Sequence, residues 1–199
     1  MHKPVIGLIG GIGSGKSRLA AELARHGGIV ISGDKLGHEA LQDPDIKAAV
    51  VKRWGSSILD REGNIDRRRL GKIVFADPSE RQALESLAFP YIERRIVEGI
   101  DKARRERTAG FIIVDAAVML EAGWNKHCDR LVYVKAPRAM RLGRLADQRG
   151  LGEQDVEARE KAQWPEAEKE KRADFVIDNS GAAEDLARQV DDLFEKWLG

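Results

Sequence analysis

Gly10-Gly11-Ile12-Gly13-Ser14-Gly15-Lys16-Ser17 is the stretch that decides the fold, and it follows the apolar run Val5-Ile6-Gly7-Leu8-Ile9. It matches the pattern G-x-x-x-x-G-K-[ST], in which glycines let consecutive backbone N–H groups turn inward and form a nest for an anion. A helical pattern over residues 17–26 follows, so the positive end of a helix dipole also faces that anion. Strand, loop and helix together favour a nucleotide-phosphate site over a glycine-rich turn without a ligand.

We call residues 10–17 the P-loop, and two side chains at its end carry most of its predicted chemistry. Lys16 is expected to reach the β- and γ-phosphates, and the Ser17 hydroxyl is expected to hold magnesium. The positions predicted to bind the nucleotide at this end of the chain are Gly11, Ile12, Gly13, Ser14, Gly15, Lys16, Ser17 and Arg18.

The composition is that of an ordinary globular chain. Of its 199 residues, 42% are hydrophobic and 34% are charged, which suits a single domain with a proper core. The formal net charge is +1, so bulk electrostatics favour neither nucleic acid nor a membrane as partner. The apolar run at residues 5–9 is too short to span a membrane, and the single cysteine, Cys128, rules out an internal disulfide. We therefore expect a soluble, cytoplasmic protein, with its oligomeric state left open.

A carboxylate follows the second predicted strand. The run Ile29-Val30-Ile31-Ser32 predicts a buried strand, and Asp34 comes just after it. Ligands of parallel sheets sit at the carboxyl ends of the strands, so Asp34 is expected to face the same crevice as the P-loop. There it would serve as the base for an acceptor hydroxyl; alternatively, it caps the next helix.

A second carboxylate ends the next strand. Phe111-Ile112-Ile113-Val114-Asp115 has the pattern of a Walker B strand, in which Asp115 helps to hold magnesium, although a helix-capping role would use the same residue type. Glu121 follows closely and is predicted to line the same pocket.

Between strands two and three, residues 41–107 show helical patterns and no central strand. Asp43-Pro44 and Asp77-Pro78 each open a helix with an N-cap and a proline at the first helical position, and Pro90 is predicted to interrupt the second helix. Such an excursion supplies a substrate site in some nucleotide-binding domains and only packing helices in others. The basic cluster Arg67-Arg68-Arg69 has the character of a solvated face.

The remainder of the chain adds arginines and two more strands. Arg138, Arg141 and Arg144 recur every three residues on one helix face, either to close over transferring phosphates or as a solvated surface. Residues 153–172 are strongly charged and predict an exposed mobile helix. Strands are predicted at residues 131–134 and 174–178, and Asn179 after the last strand is expected to read adenine or simply to form a turn.

These stretches resemble the dephospho-CoA kinase family, essentially from end to end. The stretches that carry the resemblance are the P-loop, Val74-Phe75-Ala76-Asp77-Pro78, Arg144-Leu145 through Arg149-Gly150-Leu151, Gln163, and Ala173-Asp174-Phe175-Val176-Ile177-Asp178-Asn179-Ser180-Gly181. The resemblance implies transfer of a phosphoryl group from ATP, with Mg²⁺, to the ribose 3′-hydroxyl of dephospho-CoA, the last step of coenzyme A biosynthesis.

The resemblance also implies an architecture and a set of site residues. The fold would be α/β, a three-layer P-loop kinase with a five-stranded parallel sheet, a helical insertion for the coenzyme A side and a mobile lid. The core would comprise residues 1–40, 109–140 and 173–199, the insertion about 41–108 and the lid about 141–172. The implied catalytic residues are Asp34, Lys16 and Arg144. The implied substrate-binding residues are Asp34, Pro90, Tyr91, Asp115 and Glu121, and the implied metal-binding residues are Ser17 and Asp115. Asn179 is expected to bind the nucleotide together with the P-loop residues.

The chain departs from the family pattern at four places. Ser32-Gly33-Asp34 stands for Asp-Ala-Asp, Arg18 for a threonine, Ala117 for a proline and Phe89 for the histidine of His-Pro. Three other functions remain open from the residues: another small-molecule or nucleotide kinase, a GTPase switch, and a nucleotide-binding protein without turnover. The GTPase alternative is weak because the acid of Asn-Lys-x-Asp is displaced to Asp129.

Overall fold

The computed structural model describes residues 3–197 and shows a five-stranded parallel sheet. The strands are β1 (Val5–Ile9), β2 (Gly28–Ser32), β3 (Phe111–Asp115), β4 (Arg130–Lys135) and β5 (Phe175–Asp178). Their order across the sheet is β2-β3-β1-β4-β5. The predicted fold class is therefore confirmed in its sheet, and β1, which leads into the P-loop, lies at the centre.

Nine α-helices surround the sheet within the described residues. They are α1 (Lys16–Arg25), α2 (Gly33–Gln42), α3 (Pro44–Trp54), α4 (Arg67–Ala76), α5 (Pro78–Arg105), α6 (Arg138–Arg149), α7 (Glu153–Lys161), α8 (Glu166–Lys171) and α9 (Ala183–Trp197). Short 3-10 turns lie at Ser56–Ile58 and Trp124–His127.

The apolar side chains divide into one core on each face of the sheet. On one face α1 and α9 pack against the strands through Leu19, Leu23 and Val190. On the other face α2 and α5 pack through side chains that include Leu36 and Ile96. Central strands β1 and β3 are buried along their whole length, which is why they contain continuous apolar runs. Three layers result, with the carboxyl ends of the strands left accessible along one edge.

Strand register brings the predicted carboxylates to that edge. Leu8 of β1 pairs with Asp115 of β3, and Ser32 of β2 pairs with the same aspartate. Asp34 begins α2 immediately beyond β2, and the P-loop begins immediately beyond β1. Parallel pairing therefore places the ends of three neighbouring strands side by side.

The prediction that β2 is a buried strand was wrong. In this sheet β3 lies beside β1, so β2 occupies an edge with one side unpaired. Val30 is 38% exposed, and Ile31 is the only buried residue among the five of β2. An apolar β-branched run identifies a strand, but its position in the sheet depends on which strand pairs with β1.

The predicted interruption at Pro90 was also wrong, because α5 runs without a break over 28 residues from Pro78 to Arg105. Proline inside a helix removes one N–H donor and crowds the preceding turn. Here Ala88, Ile92 and Ile96 keep a continuous stripe buried against the sheet on both sides of the proline. Burial of that stripe outweighs the local penalty, since a buried aliphatic side chain contributes about 2 kcal/mol.

The charged segment at residues 153–172 differs from the prediction of an exposed helix. It forms two short helices, α7 and α8, joined by a turn. Val156 and Lys169 are 1% exposed, so each helix sends one side chain into the interior. The buried lysine is the more informative of the two because a charge is costly to bury without a partner.

Replacing Pro90 with alanine should stabilise the protein. Pro90→Ala restores a backbone donor in the middle of α5, and we expect the free energy of unfolding to rise by about 2 kcal/mol after the gain in unfolded-state entropy is subtracted. Urea denaturation followed by circular dichroism measures this change. Pro78→Ala is the matched control, because Pro78 occupies the first turn of the same helix, where the missing donor has no intrahelical partner. An unchanged or lower stability for Pro90→Ala alone would contradict this account.

Candidate active site

The P-loop backbone adopts the conformation that its glycines allow. Gly10, Gly13 and Gly15 have φ values of 146°, 76° and 96°, which side-chain-bearing residues rarely adopt. A Cβ on Gly15 would collide with the amide of Asn179, and a Cβ on Gly11 would collide with Arg141 and Glu166. A side chain at Gly10, Gly13 or Gly15 would therefore strain the backbone, and side chains already fill the space around Gly11 and Gly15.

Lys16 begins α1, and its side chain folds back across the loop. Its Nζ donates to the carbonyl oxygens of Gly10 and Gly11, each at 3.0 Å. The pKa of Lys16 is lowered to about 8, mainly by burial and in smaller part by the positive charge of Lys169. The negative charges of Asp115, Asp34 and Glu121 act in the opposite direction. Lys16 is thus a buried cation in electrostatic contact with the carboxylates predicted for this site.

Ser17 and Asp115 meet as a pair of oxygen donors. The Ser17 hydroxyl donates to the Asp115 carboxylate at 2.8 Å. Asp115 is not a helix cap, since a turn rather than a helix follows β3. A hydroxyl and a carboxylate are ligands that Mg²⁺ accepts, and Mg²⁺ in kinases takes further ligands from phosphates and water. Within residues 3–197 no group of three or more His, Cys, Asp or Glu residues is arranged to hold a metal, so phosphate oxygens would have to complete such a site.

Asp34 lies in the first turn of α2, where it is exposed toward the crevice. The N-cap of this helix is Ser32, whose hydroxyl accepts from the backbone N–H of Lys35 at 3.4 Å. The alternative interpretation of Asp34 as the cap is therefore not supported. Its charge raises the pKa of Lys16, which places the carboxylate within electrostatic reach of the P-loop lysine.

Arginine and asparagine side chains bind the outer side of the P-loop. Arg141 is 4% exposed and donates to the carbonyl of Ile12 at 3.1 Å. Arg144 donates to the carbonyls of Ser14 and Asn179 at 3.2 and 2.7 Å. Two of the three arginines on the predicted face therefore contact this neighbourhood.

Asn179 is 1% exposed and lies between α6 and the P-loop. Its amide nitrogen donates to the Ser14 carbonyl at 2.8 Å, and its amide oxygen accepts from Arg18 at 3.0 Å. The side chain thus links Ser14 of the P-loop to Arg18 in the first turn of α1, which a simple turn former would not do. Its predicted contact with adenine stays a prediction.

Glu121 and Lys169 form a buried ion pair that sequence analysis identified only in part. The distance from Lys169 Nζ to Glu121 Oε1 is 2.9 Å, and the two side chains are 2% and 12% exposed. The same carboxylate oxygen accepts from the backbone N–H of Trp164 at 2.7 Å, while Gln163 accepts from Lys169 at 3.0 Å. The charge of Glu121 acts on Lys16, so Glu121 lies near the P-loop, and its role in lining the substrate pocket stays a prediction. Lys169 was treated as part of an exposed segment.

Glu166, near the P-loop, was not assigned a role from the sequence, and Arg141 was named only as one of three arginines on the same helix face. Glu166 forms an ion pair with Arg141 and accepts from the Tyr133 hydroxyl at 3.2 Å. The periodicity of the arginines on α6 carried a signal for Arg141. For Glu166 and Lys169 the sequence carries no such signal, because alternating charges at residues 166–172 look the same whether or not one of them is buried.

The remaining predicted substrate residues lie farther along the helical region. Both residues belong to α5, where Pro90 is exposed and Tyr91 is partly buried against the core. The guanidinium of Arg94 lies 5.3 Å from the Tyr91 ring centroid. Neither residue has a hydrogen bond or ring contact with the P-loop among the described residues, so their binding role stays a prediction.

Comparison with known proteins identifies the relatives of this fold and site. A family model described as dephospho-CoA kinase matches residues 4–185. The chain belongs to the dephospho-CoA kinase family. The dephospho-CoA kinase of Aquifex aeolicus is 41% identical over 192 residues, which cover 96% of each chain. That of Geobacter metallireducens is 39% identical, over 98% of this chain and 96% of its own.

Solved structures agree with this membership. A dephospho-CoA kinase from Campylobacter jejuni is 25% identical, with a TM-score of 0.70 over 98% of this chain and 97% of its own. A Thermus thermophilus protein is 35% identical, with a TM-score of 0.80 over 100% of both chains. A shikimate kinase from Acinetobacter baumannii, at 20% identity and a TM-score of 0.56 over 98% of this chain and 94% of its own, shows the shared fold.

Membership of the dephospho-CoA kinase family confirms the predicted P-loop kinase fold, the kinase class of enzyme and the place in coenzyme A biosynthesis. It implies ATP as the phosphoryl donor, and the GTPase interpretation falls away. No helix among residues 3–197 combines the length and apolar character needed to cross a membrane.

Removing the buried lysine should destabilise the protein strongly. Lys169→Met leaves Glu121 as a buried carboxylate without its cation, which costs about 3 kcal/mol or more and lowers Tm by several degrees. Differential scanning calorimetry at pH 7 measures the shift. Lys171→Met is the control, because Lys171 is 71% exposed and pairs with Glu168 on the surface. Equal Tm values for the two variants would mean that the Lys169–Glu121 pair contributes nothing.

Nucleotide affinity should fall as the pH rises through about 8. A bound phosphate favours the protonated form of Lys16, so its pKa is higher in the complex than the value of about 8 in the free protein. At pH values between these two pKa values, ATP binding is accompanied by the uptake of a proton. The affinity for ATP then decreases by up to about tenfold for each pH unit in that range. Isothermal titration calorimetry of ATP at pH 7–9 in buffers of different ionisation enthalpy measures both quantities.

Lys16→Met provides the comparison for this titration. It should bind ATP weakly and without proton uptake, because it lacks the titrating ammonium group. A wild-type affinity that is constant from pH 7 to 9 would contradict the assignment of the titration to Lys16.

Proposed function

We propose that this chain transfers the γ-phosphoryl group of ATP to the ribose 3′-hydroxyl of dephospho-CoA, releasing coenzyme A and ADP. The observation that carries the proposal is the meeting of Asp34, Lys16 and the Ser17–Asp115 pair at one edge of the sheet. These groups supply a base, a buried cation for phosphate, and oxygen ligands for a metal. The family membership supports the choice of substrate.

Asp34 acts as the general base in this proposal. It stands at the end of β2, next to the strand that carries Asp115 and within electrostatic reach of Lys16. A carboxylate there accepts the proton of the 3′-hydroxyl while that oxygen attacks the γ-phosphorus. The O–P bond to ADP breaks as the new O–P bond forms, and the proton remains on Asp34 until it passes to solvent.

Lys16 and the P-loop stabilise the charge that moves during the transfer. In this proposal the ammonium of Lys16, which donates to the carbonyls of Gly10 and Gly11, holds the β- and γ-phosphates together with the N–H groups of the loop. Because Lys16 is buried, its interaction with phosphate is screened little by water. Phosphoryl transfer depends mainly on positioning and on charge stabilisation, which a rigid loop of this kind provides.

Ser17 and Asp115 are the proposed magnesium ligands. Their hydroxyl and carboxylate oxygens are already adjacent at 2.8 Å, so both can face one cation. Magnesium bound there would neutralise charge on the β- and γ-phosphate oxygens. The outer side of the loop is held by Arg144 and Asn179, and we assign to Arg144 the further task of stabilising the transferred group.

The helical parts of the chain divide the other tasks in this proposal. The region of about 41–108 receives dephospho-CoA, with Pro90 and Tyr91 among the contacts, and Glu121 of the core adds a further contact. The region of about 141–172 closes over the phosphates. The core comprises residues 1–40, 109–140 and 173–199. The proposed location is the cytoplasm, and neither nucleic acid nor a membrane is a proposed partner.

A coupled assay of ADP release tests the activity directly. Purified protein with ATP and Mg²⁺ should release ADP when dephospho-CoA is added, with coenzyme A as the other product by mass spectrometry. A panel of nucleoside monophosphates and small alcohols serves as the comparison. Phosphorylation of a nucleoside monophosphate but not of dephospho-CoA would contradict the proposal.

The role of Asp34 is tested by a nearly isosteric change. Asp34→Asn should bind ATP normally and lower kcat by about a hundredfold or more, because an amide cannot accept the proton. Calorimetry measures ATP binding, and the coupled assay measures kcat. Asp45→Asn is the control, since Asp45 is an exposed acid in the first turn of the next helix, α3. An unchanged kcat for Asp34→Asn would exclude the base role.

A further inference from the structure

A surface cavity of about 580 Å³ opens beside Asp34. Its lining comprises Asp34, Lys35, His38, Glu39 and Arg67. Four of these residues lie on the first turns of α2, and the fifth lies at the beginning of α4. The volume falls within the range of small-molecule sites. The cavity therefore extends from the proposed catalytic carboxylate toward the helical region.

The charges of the cavity are mainly positive away from Asp34. Lys35 and Arg67 are cations, and His38 is a third basic group. Glu39 carries a negative charge, but its carboxylate is paired with Arg95 at 3.3 Å. The cavity thus joins one carboxylate at its catalytic end to basic side chains farther out.

The backbone of Arg67 is fixed by the start of α4, and its side chain is free to bind a ligand. Asp66 caps α4 by accepting from the backbone N–H groups of Arg68 and Arg69, at 2.9 and 3.1 Å, which fixes Arg67 at the first helical position. Within residues 3–197 the guanidinium of Arg67 has no hydrogen bond or ion pair. By contrast, the side chain of Arg69 pairs with Asp66 and donates to two backbone carbonyls.

The position of Arg67 is unfavourable for stability alone. Cations near the N-terminus of a helix oppose the helix dipole, at a cost of about 0.3–1 kcal/mol each. Arg69 compensates through its bonds, whereas Arg67 has no such compensation and lines a cavity instead. A guanidinium offers five donors in a planar fork that matches phosphate oxygens, so an anionic ligand would supply the missing interaction.

We propose that Lys35, His38 and Arg67 form an anion-binding subsite that holds the diphosphate of the acceptor while the ribose hydroxyl of the acceptor faces Asp34. This inference rests on the proposed function, in which the acceptor is dephospho-CoA. The acceptor carries its diphosphate on the ribose 5′ carbon, which projects from the opposite face of the ring to the reacting 3′-hydroxyl. A base at one end of the cavity and cations beyond it reproduce that order of groups.

The subsite explains how the chain selects its acceptor. Binding energy from groups remote from the reaction positions the hydroxyl at the base. An acceptor without the diphosphate lacks the groups that the three basic side chains contact. The basic cluster at residues 67–69, which the sequence presents as a solvated face, therefore contains one arginine for structure and one for substrate.

Steady-state kinetics with matched variants tests the subsite. Arg67→Met should raise KM for dephospho-CoA about tenfold or more and leave KM for ATP unchanged, because a charge-assisted hydrogen bond to phosphate is lost. Arg67→Lys should recover part of the affinity, since it retains the charge without the planar fork. Arg68→Met is the control, because Arg68 is an exposed neighbour on the same helix that does not line the cavity.

A binding measurement separates affinity from turnover. Calorimetric titration with dephospho-CoA in the absence of ATP should show the same loss for Arg67→Met as the KM, and unchanged Tm values should show that the variant is folded. Equal KM values for wild type, Arg67→Met and Arg68→Met would overturn the subsite. A similar rise in KM for ATP would also overturn it, because the arginine would then act on the nucleotide.

Failure of the subsite can be told apart from failure of the proposed function. Wild-type protein that turns over dephospho-CoA, together with an Arg67→Met variant of identical kinetics, contradicts the subsite alone. Wild-type protein that turns over another acceptor and not dephospho-CoA contradicts the proposed function, and the subsite with it.

Discussion

The structure depends on one constraint: a peptide whose N–H turns toward a phosphate turns its carbonyl away, and that carbonyl then needs a donor on the outside. Every carbonyl from residue 10 to residue 14 finds one. Lys16 donates to the first two, at Gly10 and Gly11. Arg141 donates to Ile12, and Arg144 and Asn179 serve the carbonyls that follow. Cations and amides thus hold the carbonyl groups of the loop.

Those donors come from distant parts of the chain, and this is what ties the catalytic edge together. The arginines belong to α6, and Asn179 follows β5, so the loop is bonded to segments more than 120 residues away. Glu166 and Glu160 in turn pair with Arg141, which compensates its buried charge. Ile12 also packs with Leu145 and Val156 in a small apolar cluster. A displacement of α6–α8 would therefore break contacts with the P-loop directly.

Much of the fold and part of the site could be predicted from the sequence, and the reasons differ by residue. The P-loop was identified because glycine positions and a terminal Lys-Ser specify a backbone conformation locally. Asp34 and Asp115 were predicted to lie at the same edge of the sheet, and they do so because parallel strands end on the same side. The burial of β2 was mispredicted because edge and centre strands differ in their neighbours and not in their own residues. The continuity of α5 across Pro90 likewise depends on packing against the sheet.

The sequence by itself determined the features that arise within a few residues: the strands, the helix starts at Asp43-Pro44 and Asp77-Pro78, and the phosphate-binding loop. Tertiary structure alone decided which of many similar charges are buried, paired or available. Lys169 became the partner of Glu121, while Arg67 was left facing a cavity beside Asp34. The physical reason is that the cost of burying a charge depends on the groups around it in space, and these come from segments that are far apart in the chain.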